Sequence, residues 1–127
     1  MEPNILIVDD EKHLVVTLQQ TLQAEFPDCQ VDAAYSGEEA LSLLAGRLYD
    51  LILADVRMPG FDGLELVKGV RYLNPDVPII HMTGYGSAPL RQEAERLGVN
   101  HYVDKPFDVG DLLQKMRQLL PERSDIT

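Results

Sequence analysis

Two short apolar runs in this chain each end on an aspartate. Ile5-Leu6-Ile7-Val8 ends on Asp9-Asp10, and Leu51-Ile52-Leu53-Ala54 ends on Asp55. No other feature constrains the fold as much. An unbroken apolar run of this length, rich in branched side chains, is the pattern of a strand covered on both faces, which is the environment of a parallel sheet. A carboxylate belongs where such a strand leaves the core. After Asp55, Pro59, Gly60 and Gly63 force the chain out of the sheet. Open α/β sheets bind ligands in the crevice at the carboxyl ends of their strands, so Asp55 is expected to face such a crevice. Taken alone, an aspartate that merely starts a turn explains the stretch equally well.

The rest of the chain alternates in the same way. Leu14, Leu18 and Leu22, with Val15 beside them, mark one apolar helix face from about Glu11 to Glu25, stopped by Pro27. Val31 to Ala34 reads as a weaker strand. Ser36-Gly37-Glu38-Glu39 is a capping box, with Ser36 as N-cap. The helix behind it is expected to bury Ala40, Leu41, Leu43, Leu44 and Leu48. Asp62-Gly63-Leu64-Glu65 opens a third helix with Leu64, Val67 and Val70 inward. Val77 to Met82 reads as a fourth strand, ending at Thr83. Ser87 is placed to cap a fourth helix that stops at Gly98. Val99 to Val103 is a fifth strand, and Asp108 caps a fifth helix with Leu112, Leu113, Met116, Leu119 and Leu120 inward, ended by Pro121. Strand and helix thus alternate throughout, which implies an α/β fold: a five-stranded parallel sheet, doubly wound, with helices on both faces. Right-handed crossovers leave few topologies.

At 127 residues this is one domain, with enough chain to bury a core without covalent staples. Residues 1–120 form it, and 121–127 read as a polar tail or the start of a linker. A single cysteine, Cys29, excludes an internal disulfide framework and fits a reducing, cytoplasmic compartment. No apolar run is long enough to span a bilayer, and Met1-Glu2-Pro3-Asn4 lacks the basic region of a signal peptide. The formal net charge of −10 repels DNA phosphates, so no direct nucleic-acid binding is expected. The same acidity fits a cation site or basic partners, as well as plain solubility.

Just past the strand ends lie Asp9 and Asp10, Asp55, Thr83 and Lys105. In a parallel sheet these ends meet along one edge. Each residue has an ordinary explanation as a helix cap, a loop hydroxyl or a solvated charge, but capping does not explain the whole set. Three carboxylates together repel, and one would be driven towards protonation. An oxygen-loving divalent cation and the Lys105 ammonium resolve this, and a site so neutralised is ready to take a further anion. A carboxylate there can attack phosphorus to give an aspartyl phosphate, with Lys105 and Thr83 on the equatorial oxygens.

Four pieces then carry a resemblance: Val8-Asp9-Asp10-Glu11, the stretch Asp55 to Gly63, Met82-Thr83-Gly84, and Asp104-Lys105-Pro106-Phe107. In this order and spacing the chain resembles a two-component response-regulator receiver domain, from about Asn4 to Leu120. The resemblance implies a flavodoxin-like (βα)5 fold with strand order 2-1-3-4-5. It implies that Asp55 is the phosphoacceptor. It assigns direct Mg2+ ligation, with Mn2+ as a substitute, to Asp10 and Asp55, with Asp9 acting through water and the Arg57 backbone carbonyl as a further ligand. It pairs Lys105 with Asp55 and then with the phosphoryl group, and expects a cis peptide bond before Pro106. Thr83 and Tyr102 become the switch pair, and Arg57 and Tyr85 flank the phosphoryl position and tune its lifetime. Gly84, Pro89 and the Gly98-Val99 pair depart from the family's usual residues without touching the chemistry.

The function so implied is a phosphorylation-dependent switch. It is fed by a sensor histidine kinase or phosphotransfer protein and read by an output domain or partner protein. The reading surface is made by the fourth helix, fifth strand and fifth helix, and a phosphorylation-linked homodimer is compatible with it. The domain catalyses only its own phosphorylation and dephosphorylation. Aspartyl phosphatases place a second acid two residues after the nucleophile, where this chain has Arg57. Receiver-like modules that no longer take phosphate usually lack the acid pair or the lysine, and both are present here. A flavin-binding domain would need a Ser/Thr/Gly-rich phosphate loop after Val8, which is absent. His13, His81 and His101 lack the spacing of metal ligands.

Overall fold

The computed structural model describes residues 3–55, 57–58, 61–83, 92, 95–96, 98–105 and 107–120. The first two strands, β1 (Asn4–Val8) and β2 (Gln30–Ala34), are joined by helix α1 (Lys12–Glu25). Helix α2 (Gly37–Gly46) leads to β3 (Leu51–Asp55). A short antiparallel ribbon follows, with β4 (Arg57–Met58) paired to β5 (Phe61–Asp62). Then come α3 (Gly63–Leu73), β6 (Ile79–Thr83), β7 (His101–Asp104) and α4 (Val109–Leu119). The main sheet has the order β2-β1-β3-β6-β7, and every pairing in it is parallel. This is the expected 2-1-3-4-5 arrangement.

The sheet divides the core in two because successive strand residues point to opposite faces. Leu6, Val8, Ile52, Ala54 and Ile79 pack with Ala40 and Leu44 of α2 and Leu66, Val67 and Val70 of α3. Ile5, Ile7, Leu51, Leu53, Ile80 and Met82 pack with Val15, Leu18 and Leu22 of α1 and Leu112, Leu113 and Met116 of α4. All five residues of β3 are buried, as the unbroken apolar run requires. Among the described residues no helix is long and apolar enough to cross a membrane.

Local chemistry sets the helix ends. The Ser36 hydroxyl accepts from the Glu39 N–H at 3.1 Å, and the Asp108 carboxylate accepts from the Gly110 N–H at 3.0 Å. At the C-terminal end of the fourth crossover, Gly98 takes φ +89°, and Arg71 clamps the turn by donating to the Val77 and Gly98 carbonyls at 2.6 and 2.7 Å. Gln92, Glu95 and Arg96 are helical, which agrees with a fourth helix; Ser87 and Pro89 lie outside the described residues, as do 121–127.

Four boundaries or burials differ from expectation. Leu48 is 70% exposed, because α2 ends at Gly46 and Arg47 is already extended, so helical periodicity does not reach it. Tyr49 is buried instead, its hydroxyl donating to Asp32 at 2.7 Å. Leu66 of α3 is buried, which widens that helix's apolar face beyond the positions three apart. The last two strands start two residues late. Val77 spends its polar groups on the Asn74 turn and the Arg71 clamp, and Asn100 pairs with Ile79 through its backbone N–H and its side-chain oxygen, both at 2.9 Å.

The two glycines Gly46 and Gly98 should respond in opposite directions. A Cβ on Gly98 would meet the Arg71 Nε at 3.2 Å in a left-handed backbone, whereas one on Gly46 meets nothing within 4 Å. Gly98→Ala is expected to destabilise by about 1–2 kcal/mol, and Gly46→Ala to stabilise by about 0.4–1 kcal/mol. Urea unfolding curves of the two variants check both signs.

Candidate functional site

The site lies at the carboxyl edge of the main sheet. Val8 and Ala54 are partners in the β1–β3 register, so the residues that follow them, Asp9 and Asp55, leave the sheet side by side. Asp9 is fully buried and Asp55 is 4% exposed. Lys105 arrives just past the end of β7, two strands from β3, and its long side chain crosses the gap. Its Nζ donates to Asp9 Oδ2 at 2.7 Å, to Glu11 Oε1 at 2.9 Å and to Asp55 Oδ2 at 3.2 Å. The Lys105–Asp9 and Lys105–Asp55 pairs are 96 and 50 residues apart in the chain, so only the fold brings them together.

Asp9 makes the local turn that its position before a helix suggests, and also a contact with Lys105 that the sequence reading did not assign to it. Its Oδ1 accepts from the Glu11 N–H at 2.9 Å, the local turn that starts α1 in the absence of a side-chain cap from Glu11. Its Oδ2 holds Lys105. Burial pushes the Asp9 carboxyl above the ordinary aspartate range and the nearby Asp55 charge adds to this, against the lowering effect of Lys105 and the Glu11 N–H. Burial pulls the Lys105 ammonium down, but hydrogen bonds to Asp9 and Glu11, with the charges of Asp9 and Asp55, hold it above the ordinary lysine range. Lys105 therefore keeps its proton at neutral pH.

Asp9, Glu11 and Asp55 each offer a carboxylate oxygen, and these oxygens lie within 4.8 Å of one another. Three carboxylates against one ammonium leave an excess of negative charge in a partly buried pocket. The donor set is all hard oxygen, which suits Mg2+, Mn2+ or Ca2+ and lacks the nitrogen or sulfur that zinc prefers. A divalent oxygen-loving cation fits these residues.

Of the residues singled out from sequence, Asp9, Asp55 and Lys105 converge. Asp10 is exposed and outside the group of three oxygens, and Glu11 stands in that group instead. Glu11 was legible only as the last residue of the Val8-Asp9-Asp10-Glu11 piece; its ability to reach Lys105 from the start of α1 needed the structure. Thr83 is the last residue of β6 and opposes Asp104 in register. Tyr102 lies in β7, half-buried, its ring centroid 5.3 Å from that of His81. Arg57 pairs with Asp62 in the ribbon after Asp55. Tyr85 and Pro106 lie outside the described residues.

Comparison with known proteins shows the family and the fold. Residues 5–117 match the family model described as the response regulator receiver domain. The chain is 32% identical to the sporulation initiation phosphotransferase F of Bacillus subtilis, covering 98% of this chain and 99% of that one. The CheY-like receiver domain protein of Methanospirillum hungatei JF-1 superposes with a TM-score of 0.87 at 30% identity, over 93% of each chain. A response regulator of Burkholderia pseudomallei, solved with a phosphorylated aspartic acid, a calcium ion and citrate, superposes with a TM-score of 0.82 at 28% identity, over 94% of this chain and 67% of that one. Against several other curated relatives the chain spans only 26% to 54% of their length.

Removing the ammonium tests the electrostatics. Lys105→Met leaves the buried Asp9 carboxylate uncompensated and is expected to cost about 3–5 kcal/mol near neutral pH. Without Lys105 the folded variant holds the Asp9 proton more tightly than the unfolded chain does, so the variant's stability falls as pH rises above the ordinary value of 3.8. Urea unfolding between acid and neutral pH should show the gap to wild type narrowing on acidification.

Proposed function

This chain belongs to the response regulator receiver family of two-component systems, and on that premise we propose that Asp55 is its phosphoacceptor. The donor is phosphohistidine on a sensor histidine kinase or a phosphotransfer protein. The observation that carries the reading is the Lys105 ammonium, held between Asp9 and Asp55 at the sheet edge, where an incoming phosphoryl group would otherwise meet only negative charge. An oxygen of Asp55 attacks phosphorus, the P–N bond to the donor histidine breaks, and the imidazole leaves with the electron pair and takes up a proton. Lys105 exchanges part of its contact with Asp55 for a phosphoryl oxygen and so stabilises charge on the equatorial oxygens. Thr83, at the end of the neighbouring strand, offers a hydroxyl to another.

The bound divalent cation would neutralise the carboxylates and draw charge from the phosphoryl oxygens. Asp55 and Asp9 would hold it, joined by Asp10, by the Arg57 carbonyl and by Glu11 once Lys105 turns to the phosphoryl group. The Burkholderia pseudomallei relative, which carries a phosphorylated aspartate and a calcium ion, supports chemistry of this kind at such a site. Arg57 stands where an aspartyl phosphatase keeps a second acid, which favours a switch that turns over only its own phosphoryl group.

Receiver domains act by phosphorylation-dependent switching and interact with histidine kinases and output domains. In this chain Thr83 and Tyr102 would change place together and alter the surface made by the fourth helix, β7 and α4. The driving force is the better grip of the active state on the phosphoryl group. The output partner would be a domain or protein that reads that surface.

Intact-mass measurement after treatment with Mg2+ and acetyl phosphate should show the gain of one phosphoryl group. Asp55→Asn should show none, a metal chelator should abolish uptake, and Lys105→Ala should slow it by about a hundredfold. Absence of the adduct on wild type, or an undiminished adduct on Asp55→Asn, would sink the proposal.

A further inference from the structure

β6 is an almost wholly apolar strand with one exception. His81 sits between Ile80 and Met82 and is 2% exposed. Burying an imidazole where a leucine or methionine would pack carries a desolvation cost, so its surroundings are informative. The β6–β7 register sets His81 directly opposite Tyr102. Their ring centroids are 5.3 Å apart and their planes tilt by 46°, within the range where aromatic pairs attract.

The two rings differ in freedom. His81 belongs to a strand flanked on both sides, by β3 and β7, and is closed in by the core. Tyr102 belongs to the edge strand β7 and is half-buried, packed against the outside of the core that includes Ile79 and Val99. A ring enclosed by the sheet thus meets one on its edge. Three residues after Tyr102 the same segment delivers Lys105 to Asp9 and Asp55, so the tyrosine and the ammonium sit on one short stretch of chain.

We infer that His81 is a positioning residue for Tyr102: its ring holds the tyrosine in the orientation of the unphosphorylated domain and sets how readily Tyr102 leaves it. This rests on the reading of Asp55 as phosphoacceptor and of Tyr102 as a moving part. The interaction is a ring–ring contact. A side chain of similar bulk without a ring should weaken the hold, and another aromatic should restore it.

The test uses the full chain labelled with 13C in its tyrosine rings. Tyr102 is assigned from the signal lost in Tyr102→Ala, and spectra are compared for wild type, His81→Met, His81→Leu and His81→Phe. In the unphosphorylated domain, His81→Met and His81→Leu should move the Tyr102 signals towards those of the phosphorylated wild type. The population of the second orientation should rise about two- to tenfold, the size of one aromatic pair. The initial rate of phosphoryl uptake from acetyl phosphate should rise by no more than the same factor. His81→Phe should stay near wild type in both. In a Tyr102→Ala background, His81→Met should leave the uptake rate where Tyr102→Ala alone puts it. Unchanged Tyr102 signals in both His81→Met and His81→Leu overturn the inference, and so does a rate effect that persists without Tyr102. If wild type takes up no phosphoryl group, the reading of Asp55 falls separately. The Tyr102 shift between the non-aromatic variants and His81→Phe in the unphosphorylated domain then still supports or overturns the positioning role.

Discussion

One ammonium holds this site together. Lys105 makes three short contacts to Asp9, Glu11 and Asp55, and the two buried carboxylates, Asp9 and Asp55, would be poorly placed without it. Asp9 is buried where a charge is costly, and its carboxyl is already pushed upward. The cluster still carries more negative than positive charge, so it is assembled but not neutral. That imbalance gives the pocket its chemical character: hard carboxylate oxygens in excess over one ammonium favour a divalent cation.

The sheet makes the cluster possible by holding its members rigidly. β1 and β3 are neighbours and lie between the two cores, so Asp9 and Asp55 leave the sheet at a fixed spacing. A strand buried on both faces has little freedom to relax, and the electrostatic repulsion is borne by packing on either side. The lysine enters from β7, the edge strand, with a flexible four-carbon stem. The arrangement thus pairs carboxylates fixed by the sheet, Asp9 and Asp55, with an ammonium on a long stem, which suits the exchange of partners proposed for Lys105.

One layer below the site a ring of the sheet interior, His81, meets a ring of the edge strand, Tyr102. Around this region the chain is tied down by polar clamps: Arg71 holds the turn at Gly98, and Asn100 locks the entry of β7 against Ile79. The start of β7 is thus pinned to its neighbour, and Tyr102 and Lys105 lie further along the same segment.

Much of this was legible in the residues alone. The unbroken apolar runs at Ile5–Val8 and Leu51–Ala54 announce doubly covered strands, because no other element buries so many consecutive side chains in so short a span. Ser36 and Asp108 mark helix starts because a short acceptor side chain satisfies N–H groups that have no other partner. These are short-range effects, and short-range effects are written in neighbouring residues. Leu48 escaped because a helix end is decided by one or two residues, which apolar periodicity does not register. Glu11 escaped as a member of the acidic group because it stands beyond the strand-end aspartates, at the start of α1, where an exposed carboxylate reads as an ordinary helix-start acid until the fold brings Lys105 to it. Sequence by itself determined the alternation of elements, the carboxylates at the strand ends and the family they spell. Tertiary structure alone decided which of those carboxylates share the lysine, since that depends on which strands lie side by side and how far one long side chain can reach.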